Sequence, residues 1–265
     1  WEDGHAGGTY PDHPFTQGHE FSGLVADLGE GVEGPPPGTP VAVTPLWPCF
    51  ECDMCRAGHT NICRNITFPS FPQTDGAMAE YIAVPAWAVE PLPGGVSFVE
   101  ATFLEPFQAA LHGFELAQLD PEEPVAIVGT GVIGLSVLQV AKARGVKTIY
   151  AAEPADQHRA MAEKLGVSLA ARFAEELLEK LPDVESQPHV VFECSGNYKA
   201  LHGCMALCRP RGQVVIIGVP HPDEIPFDTR HPRRKELSFV FSRRYRHDDL
   251  RRAIELMREG KISFR

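Results

Sequence analysis

The sequence of 265 residues is 43% hydrophobic, enough for two ordinary domains each with its own core, which excludes a small peptide scaffold. Its formal net charge of -11 offers no basic patch to nucleic acid, and no apolar run approaches the ~18 residues that a membrane span needs. The chain shows no initiator Met, charged n-region or apolar h-region, so nothing argues for secretion, and the cytoplasm is the expected compartment.

The first motif is GHEFSGLVADLGEGV, in which Gly18, His19 and Glu20 precede a strand expected over residues 21–28 and a turn made by Gly29 and Gly31. His19 is a candidate metal ligand. Successive residues of an extended chain point to opposite sides, so Glu20 is expected to orient a ligand, or to bind metal only when the site rearranges. A His-Glu pair before a strand also fits a plain solvated loop, and its surroundings must decide.

A short strand over residues 40–44 leads into WPCFECDMCRAGHTNICRN, where Cys49, Cys52, Cys55 and Cys63 are separated by two, two and seven residues. In a chain without secretory signals this clustering reads as metal ligation rather than a disulfide framework. Four thiolates complete the tetrahedron of Zn²⁺ and leave no open position, so the zinc is structural. An iron–sulfur cluster could use similar spacing, but neither a fourth-ligand Pro nor a second cluster run accompanies it. Prolines 45, 48, 69 and 72 frame a lobe over residues 46–68 with little regular structure, which a metal would have to fold. The remaining Cys194, Cys204 and Cys208 read as reduced core or near-core thiols.

Between residues 77 and 91, β-branched and aromatic residues set off by prolines predict further strands. Residues 97–116 are helical in character, with Glu105 among apolar neighbours. A carboxylate in that setting destabilises the fold unless it is paired or metal-bound, although a helix N-terminal charge ahead of Pro106 is the plainer reading.

At residues 124–134, PVAIVGTGVIG, an apolar strand runs into Gly129, Thr130, Gly131, Val132, Ile133 and Gly134 and then a helix reaching about residue 144. This is a dinucleotide-binding turn: Gly129 permits the tight turn, Gly131 admits a pyrophosphate to the backbone, and Gly134 lets the helix pack against its strand. A second strand over residues 147–152 ends on Glu153, an acid placed to hold the ribose diol of NAD and to repel the extra phosphate of NADP, with His158 close by. Residues 189–193, 213–217 and 237–241 are apolar runs suited to a parallel sheet covered on both faces, and the strand ends at Ser195 and at Gly218 and Val219 should line the cofactor crevice.

Taken together, the Gly18 to Val32 pattern, the four-Cys lobe and the dinucleotide turn resemble the zinc-dependent medium-chain alcohol and polyol dehydrogenases, over essentially the whole chain. The resemblance implies an α/β fold: a GroES-like β-barrel catalytic domain with a structural zinc lobe over residues 1–120, and a Rossmann doubly wound parallel sheet binding NAD over residues 121–265. It implies that His19 binds catalytic zinc and that the four Cys hold structural zinc. EPFQAALH is similar to the sorbitol and threonine dehydrogenase branch, which implies that Glu105 is the third residue of the catalytic zinc site, with Glu20 beside it. Arg244 and Tyr245 match the Arg-Tyr pair that polyol dehydrogenases place near nicotinamide and substrate. The family's Cys-Gly-Ser/Thr-Asp ligand stretch would fall before Trp1, and the chain is expected to be a fragment trimmed at both ends. The implied activity is hydride transfer from a secondary alcohol, a polyol or sugar alcohol, to NAD in a homodimer or homotetramer. A threonine 3-dehydrogenase-like activity and a catalytically silent cofactor-binding relative are the alternatives.

Overall fold

A computed structural model of the chain describes residues 14–71, 74–219 and 224–264. The chain forms two compact units, one of the described residues up to Gln108 together with those from Arg244, the other Ala109–Arg243. The expected second domain therefore ends earlier than residue 265. The last helix explains why: Leu250, Ala253, Ile254 and Leu256 make one buried stripe at helical spacing, and Arg251 on the same helix donates to Glu90 of the first unit.

In the first unit, β1 (Ser22–Leu24), β2 (Pro40–Val43) and β3 (Val89–Pro91) form an antiparallel three-stranded sheet in the order β1-β2-β3. The strand expected over residues 21–28 is thus confined to Ser22–Leu24. Of residues 77–91 only β3 pairs as a strand, following a turn of 3₁₀ helix at Ala86–Ala88. Prolines 85 and 91 bound this stretch, and a residue lacking an N–H cannot extend a ladder. Leu24 and Tyr81 are exposed along an open groove of about 900 Å³ beside the sheet. The zinc lobe adds α1 (Asp53–Arg56) and a 3₁₀ turn at Thr60–Ile62.

The helix expected over residues 97–116 is two helices, α2 (Phe98–Thr102) and α3 (Leu104–Glu115), with the break at Phe103. Ser97 opens α2 with a reciprocal capping box to Glu100. Pro106, with no N–H to offer, falls in the first turn of α3, where that N–H would have been unpaired anyway.

The second unit is a six-stranded parallel sheet. Its strands are β4 (Val125–Val128), β5 (Ile149–Ala152), β6 (Leu169–Ala171), β7 (Val190–Glu193), β8 (Gln213–Ile216) and β9 (Ser238–Phe241), in the spatial order β6-β5-β4-β7-β8-β9. Strands β4, β5, β7 and β8 are buried at every residue, as a sheet covered on both faces requires. The order reverses between β4 and β7, and this is where a doubly wound sheet opens for a ligand. The sequence did not reveal β6, since three residues of Leu169-Ala170-Ala171 carry almost no strand signal until β5 pairs with them.

After β4 the chain turns through Gly129, whose φ of 89° is a backbone that side chains rarely adopt, and enters α4 (Val132–Ala143). A Cβ on Gly134 would collide with the Gly129 carbonyl oxygen, so only glycine lets the helix lie against its strand. Gly134→Ala is therefore expected to destabilise the second unit by about 1–3 kcal/mol, the usual range for overpacking, and to weaken dinucleotide binding. Denaturant unfolding and cofactor titration of that variant would check this, and parental behaviour in both would overturn the packing argument.

Candidate active site and metal centres

His19 is delivered by a backbone held on both sides. Ala77 donates to the Gly18 carbonyl at 2.8 Å, Met78 to that of Gln17 at 2.9 Å, and the Gly18 N–H is taken by Ser70 Oγ at 2.9 Å. Gly18 has a φ of 97°, so the chain turns just before His19, and Glu20 itself lies in a bend, so the alternation of an extended strand does not apply to residues 19 and 20. His19, Glu20 and Glu105 consequently converge, each offering one ligand atom, all within 4.8 Å of one another. Glu20 thus stands with His19 rather than opposite it, contrary to the expectation from strand geometry.

The surroundings tune both partners. Burial lowers His19 below the usual imidazole value, against an opposing pull from Glu20, and so favours the neutral ring that can donate a lone pair to metal. Glu105 is only 9% exposed, and burial lifts its carboxyl to about 7, with Glu20 adding to the rise and the Tyr245 hydroxyl opposing it. Neutral imidazole and two carboxylates are a donor set that zinc accepts, and a cation would supply the charge that buried Glu105 lacks.

Arg244 and Tyr245 part company. The Arg244 guanidinium lies 5.3 Å above the Phe68 ring, and Phe68 in turn packs on His19 with ring centroids 5.2 Å apart. Tyr245 is 2% exposed and donates its hydroxyl to Glu105 Oε1 at 2.6 Å. That hydroxyl is already committed within the protein, which departs from the substrate-facing role implied for it. Gln108 is a residue the sequence did not single out: both atoms of its buried amide lack a partner among the described residues, one turn along α3 from Glu105.

In the lobe, the Sγ atoms of Cys49, Cys52, Cys55 and Cys63 also lie within 4.8 Å of one another. Cys63 Sγ is 3.5 Å from that of Cys49 and 3.9 Å from that of Cys52, close to the ~3.8 Å edge of a tetrahedron with Zn–S bonds of about 2.3 Å. Backbone N–H groups, first that of Arg64, lower the Cys52 thiol to about 6, while Cys55 is pushed up to about 12 by burial and by the thiols of Cys52 and Cys63. Four sulfurs this close can all ionise only around a cation. The residues fit structural zinc.

In the second unit, Gly129, Gly131, Glu153, His158 and Ser195 line a cleft of about 530 Å³ beyond the carboxyl ends of the strands. A Cβ on Gly131 would meet nothing within 4 Å, and no side chain caps the helix N-terminus there, so the turn leaves open the space that a pyrophosphate would fill. Thr130 is fully buried with its hydroxyl unpartnered among the described residues, Val132 is half exposed, and Ile133 lies between it and buried Gly134. Glu153 is 7% exposed, its carboxylate accepting from the backbone N–H groups of Thr130 at 2.8 Å and Ala155 at 2.9 Å. Gly218 and Val219 lie outside this lining. Gly218 packs against Gly196 at the end of β7, and Val219 is exposed. The sequence missed Glu193, whose buried carboxylate orders the next loop by accepting from the N–H groups of Ser195 at 2.8 Å and Gly196 at 3.0 Å. It also missed Arg172 and Lys199 on the cleft wall, Arg172 because it follows the unrecognised β6.

Comparison with known proteins agrees with both units. The family model described as alcohol dehydrogenase GroES-like domain matches residues 2–94, and the one described as zinc-binding dehydrogenase matches residues 132–259. A 2-dehydro-3-deoxy-L-galactonate 5-dehydrogenase of Pseudoalteromonas atlantica is 35% identical over 254 residues, covering 95% of this chain and 74% of that protein. A sorbitol dehydrogenase of Bacillus subtilis is 32% identical over 231 residues, covering 86% of this chain and 65% of that one. The structure of a Sinorhizobium meliloti protein with NADP bound superposes with a TM-score of 0.86 at 30% identity, covering 96% of this chain and 76% of its own.

Two measurements check the metal and carboxylate assignments. Cys52→Ser should remove about one tightly held zinc per chain in elemental analysis after dialysis, whereas unchanged zinc or an iron–sulfur absorption band would contradict the lobe's assignment. Because folding raises the Glu105 pKa, metal-free protein holds a proton that the unfolded chain has lost, so this group's contribution to stability declines as pH rises through about 7. Metal-free Glu105→Gln should gain on the parent in denaturation midpoint between about pH 5 and 8, and a constant difference across that range would count against a buried, proton-holding Glu105. With a GroES-like unit carrying His19, Glu105 and the four-Cys lobe, and a doubly wound unit carrying the dinucleotide turn, the chain belongs to the zinc-dependent medium-chain polyol dehydrogenase family.

Proposed function

We propose that this chain catalyses hydride transfer from a secondary alcohol of a polyol or sugar alcohol to NAD, with zinc at His19, Glu20 and Glu105. The convergence of those three ligand atoms within 4.8 Å carries the reading. Zinc held there would lower the pKa of a substrate hydroxyl, and a nicotinamide cofactor would take the hydride. His19 contributes a neutral imidazole steadied against Phe68, and Glu105 contributes a carboxylate that the protein keeps dry. Arg244, half-buried over Phe68, offers a cation able to bond the neighbouring hydroxyls of a polyol, which a site for simple alkyl alcohols would not need. The relatives named as acting on sorbitol and on a deoxygalactonate support a polyhydroxylated substrate.

For the cofactor, Glu153 supports NAD: its buried charge stands on the cleft wall where the extra phosphate of NADP would bring more negative charge. Ser195 and His158 line the same cleft. Cytoplasmic residence and a homo-oligomer, dimer or tetramer, belong to the same reading. Cysteines used as free thiols and metal ligands support the first, and light scattering would check the second. Among the described residues no helix is long and apolar enough to cross a membrane.

Calorimetric titration should show NAD binding more tightly than NADP, and Glu153→Gln should narrow the gap by about 1–3 kcal/mol. Equal or tighter NADP binding would overturn the choice and shift attention to Arg172. Steady-state assays with zinc present should show sorbitol- or xylitol-like compounds oxidised far better than ethanol or butanol. Preference for threonine would instead assign a threonine 3-dehydrogenase-like activity, and zinc-loaded protein that binds NAD but turns over nothing would mark a silent relative.

A further inference from the structure

Resting on the metal site just proposed, we infer that Tyr245 is a positioning residue for Glu105, fixing the carboxylate so that one oxygen is spent inside the protein and the other is presented to the metal. The tyrosine ring is buried at 2% exposure, so neither solvent nor substrate reaches it readily, and its hydroxyl donates to Glu105 Oε1 at 2.6 Å. Among the described residues no hydrogen bond engages Oε2. A buried carboxylate on a helix retains torsional freedom in its last bond, which is broad and two-fold, and a single short hydrogen bond from a rigid phenol removes it.

The backbone shows how the ring is brought there. Arg244 has a φ of 55°, the left-handed region that a side-chain-bearing residue adopts only when its surroundings hold it. That turn sends consecutive side chains to different tasks, Arg244 over Phe68 and Tyr245 into the core against Glu105. The next two residues anchor the turn. The Arg246 N–H donates to Asp249 Oδ2 at 2.7 Å, and the His247 N–H donates to Thr60 Oγ1 at 3.2 Å, which ties the tyrosine to the zinc lobe. Two of the three ligands are therefore braced from one bend, His19 through Phe68 and Glu105 through Tyr245.

The test uses the whole chain with zinc already in the four-Cys lobe, where it is colourless, and titrates Co²⁺ into the remaining site while recording visible absorption. The parent should show a spectrum of nitrogen and oxygen ligation without thiolate charge-transfer bands. Tyr245→Phe, which removes only the hydroxyl, should weaken Co²⁺ binding on the order of tenfold to a hundredfold and alter the d–d bands. In a Glu105→Gln background the same change should add almost nothing, because Tyr245 acts through the carboxylate. Circular dichroism and retention of the lobe zinc verify folding, and Tyr245→Trp, whose indole N–H can also donate, gives a second variant in which partial recovery is expected. Unaltered affinity and spectrum in Tyr245→Phe, or an equal loss with Gln at 105, overturns the inference while leaving the metal site intact. Absence of the nitrogen and oxygen spectrum in the parent overturns the metal site and the inference with it.

Discussion

A carboxylate removed from water is the constraint around which the first unit is arranged. Glu105 is buried in the opening turn of a helix, and a lone charge there would destabilise the fold by several kcal/mol unless neutralised or bonded. The structure meets the demand with a tyrosine hydroxyl on one oxygen and with His19 and Glu20 gathered near enough to share a cation. The bends at Gly18 and Arg244, the stack of Arg244 over Phe68 and the fixing of Gly18 by Ser70 all serve to bring these groups together. Metal binding and the local fold are, on this view, two descriptions of one electrostatic problem.

The second unit works by absence of atoms. Glycines 129 and 134 exist because a side chain would strike Ser195 in the first case and the Gly129 carbonyl in the second, whereas a Cβ on Gly131 would meet open space. Around that space the acids face inward: Glu153 accepts one N–H from the turn after β4 and one from its own turn, and Glu193 gathers those of the loop after β7. Each buried acid therefore stabilises the loop shape that forms the cleft wall. With those N–H groups consumed by protein, the backbone donors left to meet an anion are those of the helix N-terminus.

Strands flanked by turn residues and buried on both faces were legible in the sequence, because runs such as VAIV, HVVFE and QVVII have no competing interpretation. The four-Cys lobe and the His19 and Glu105 pair were legible for the same reason, since metal and buried charge restrict residue choice severely. What escaped was set by tertiary contact. The three residues of β6 become a strand only through pairing with β5, and the placement of residues 244–264 follows from one amphipathic helix whose partner lies far away in sequence. Strand alternation misplaced Glu20, which sits in a bend shortly after a glycine at φ 97°, and the family resemblance gave a substrate-facing role to Tyr245, which turns inward after a left-handed arginine. Neither dihedral can be read from composition.

The return of the C-terminal segment to the first unit has a consequence for biosynthesis. Glu105 leaves the ribosome 140 residues before Tyr245, and in between the entire parallel sheet is made. Domains ordinarily fold in the order in which they emerge, but here the earlier unit cannot acquire its last helix, or the partner of its buried acid, until the later one has been synthesised. The nascent first unit must therefore wait with its acid still open to water and an apolar seat uncovered, which makes that interval the moment when chaperone holding or early loading of lobe zinc would matter most.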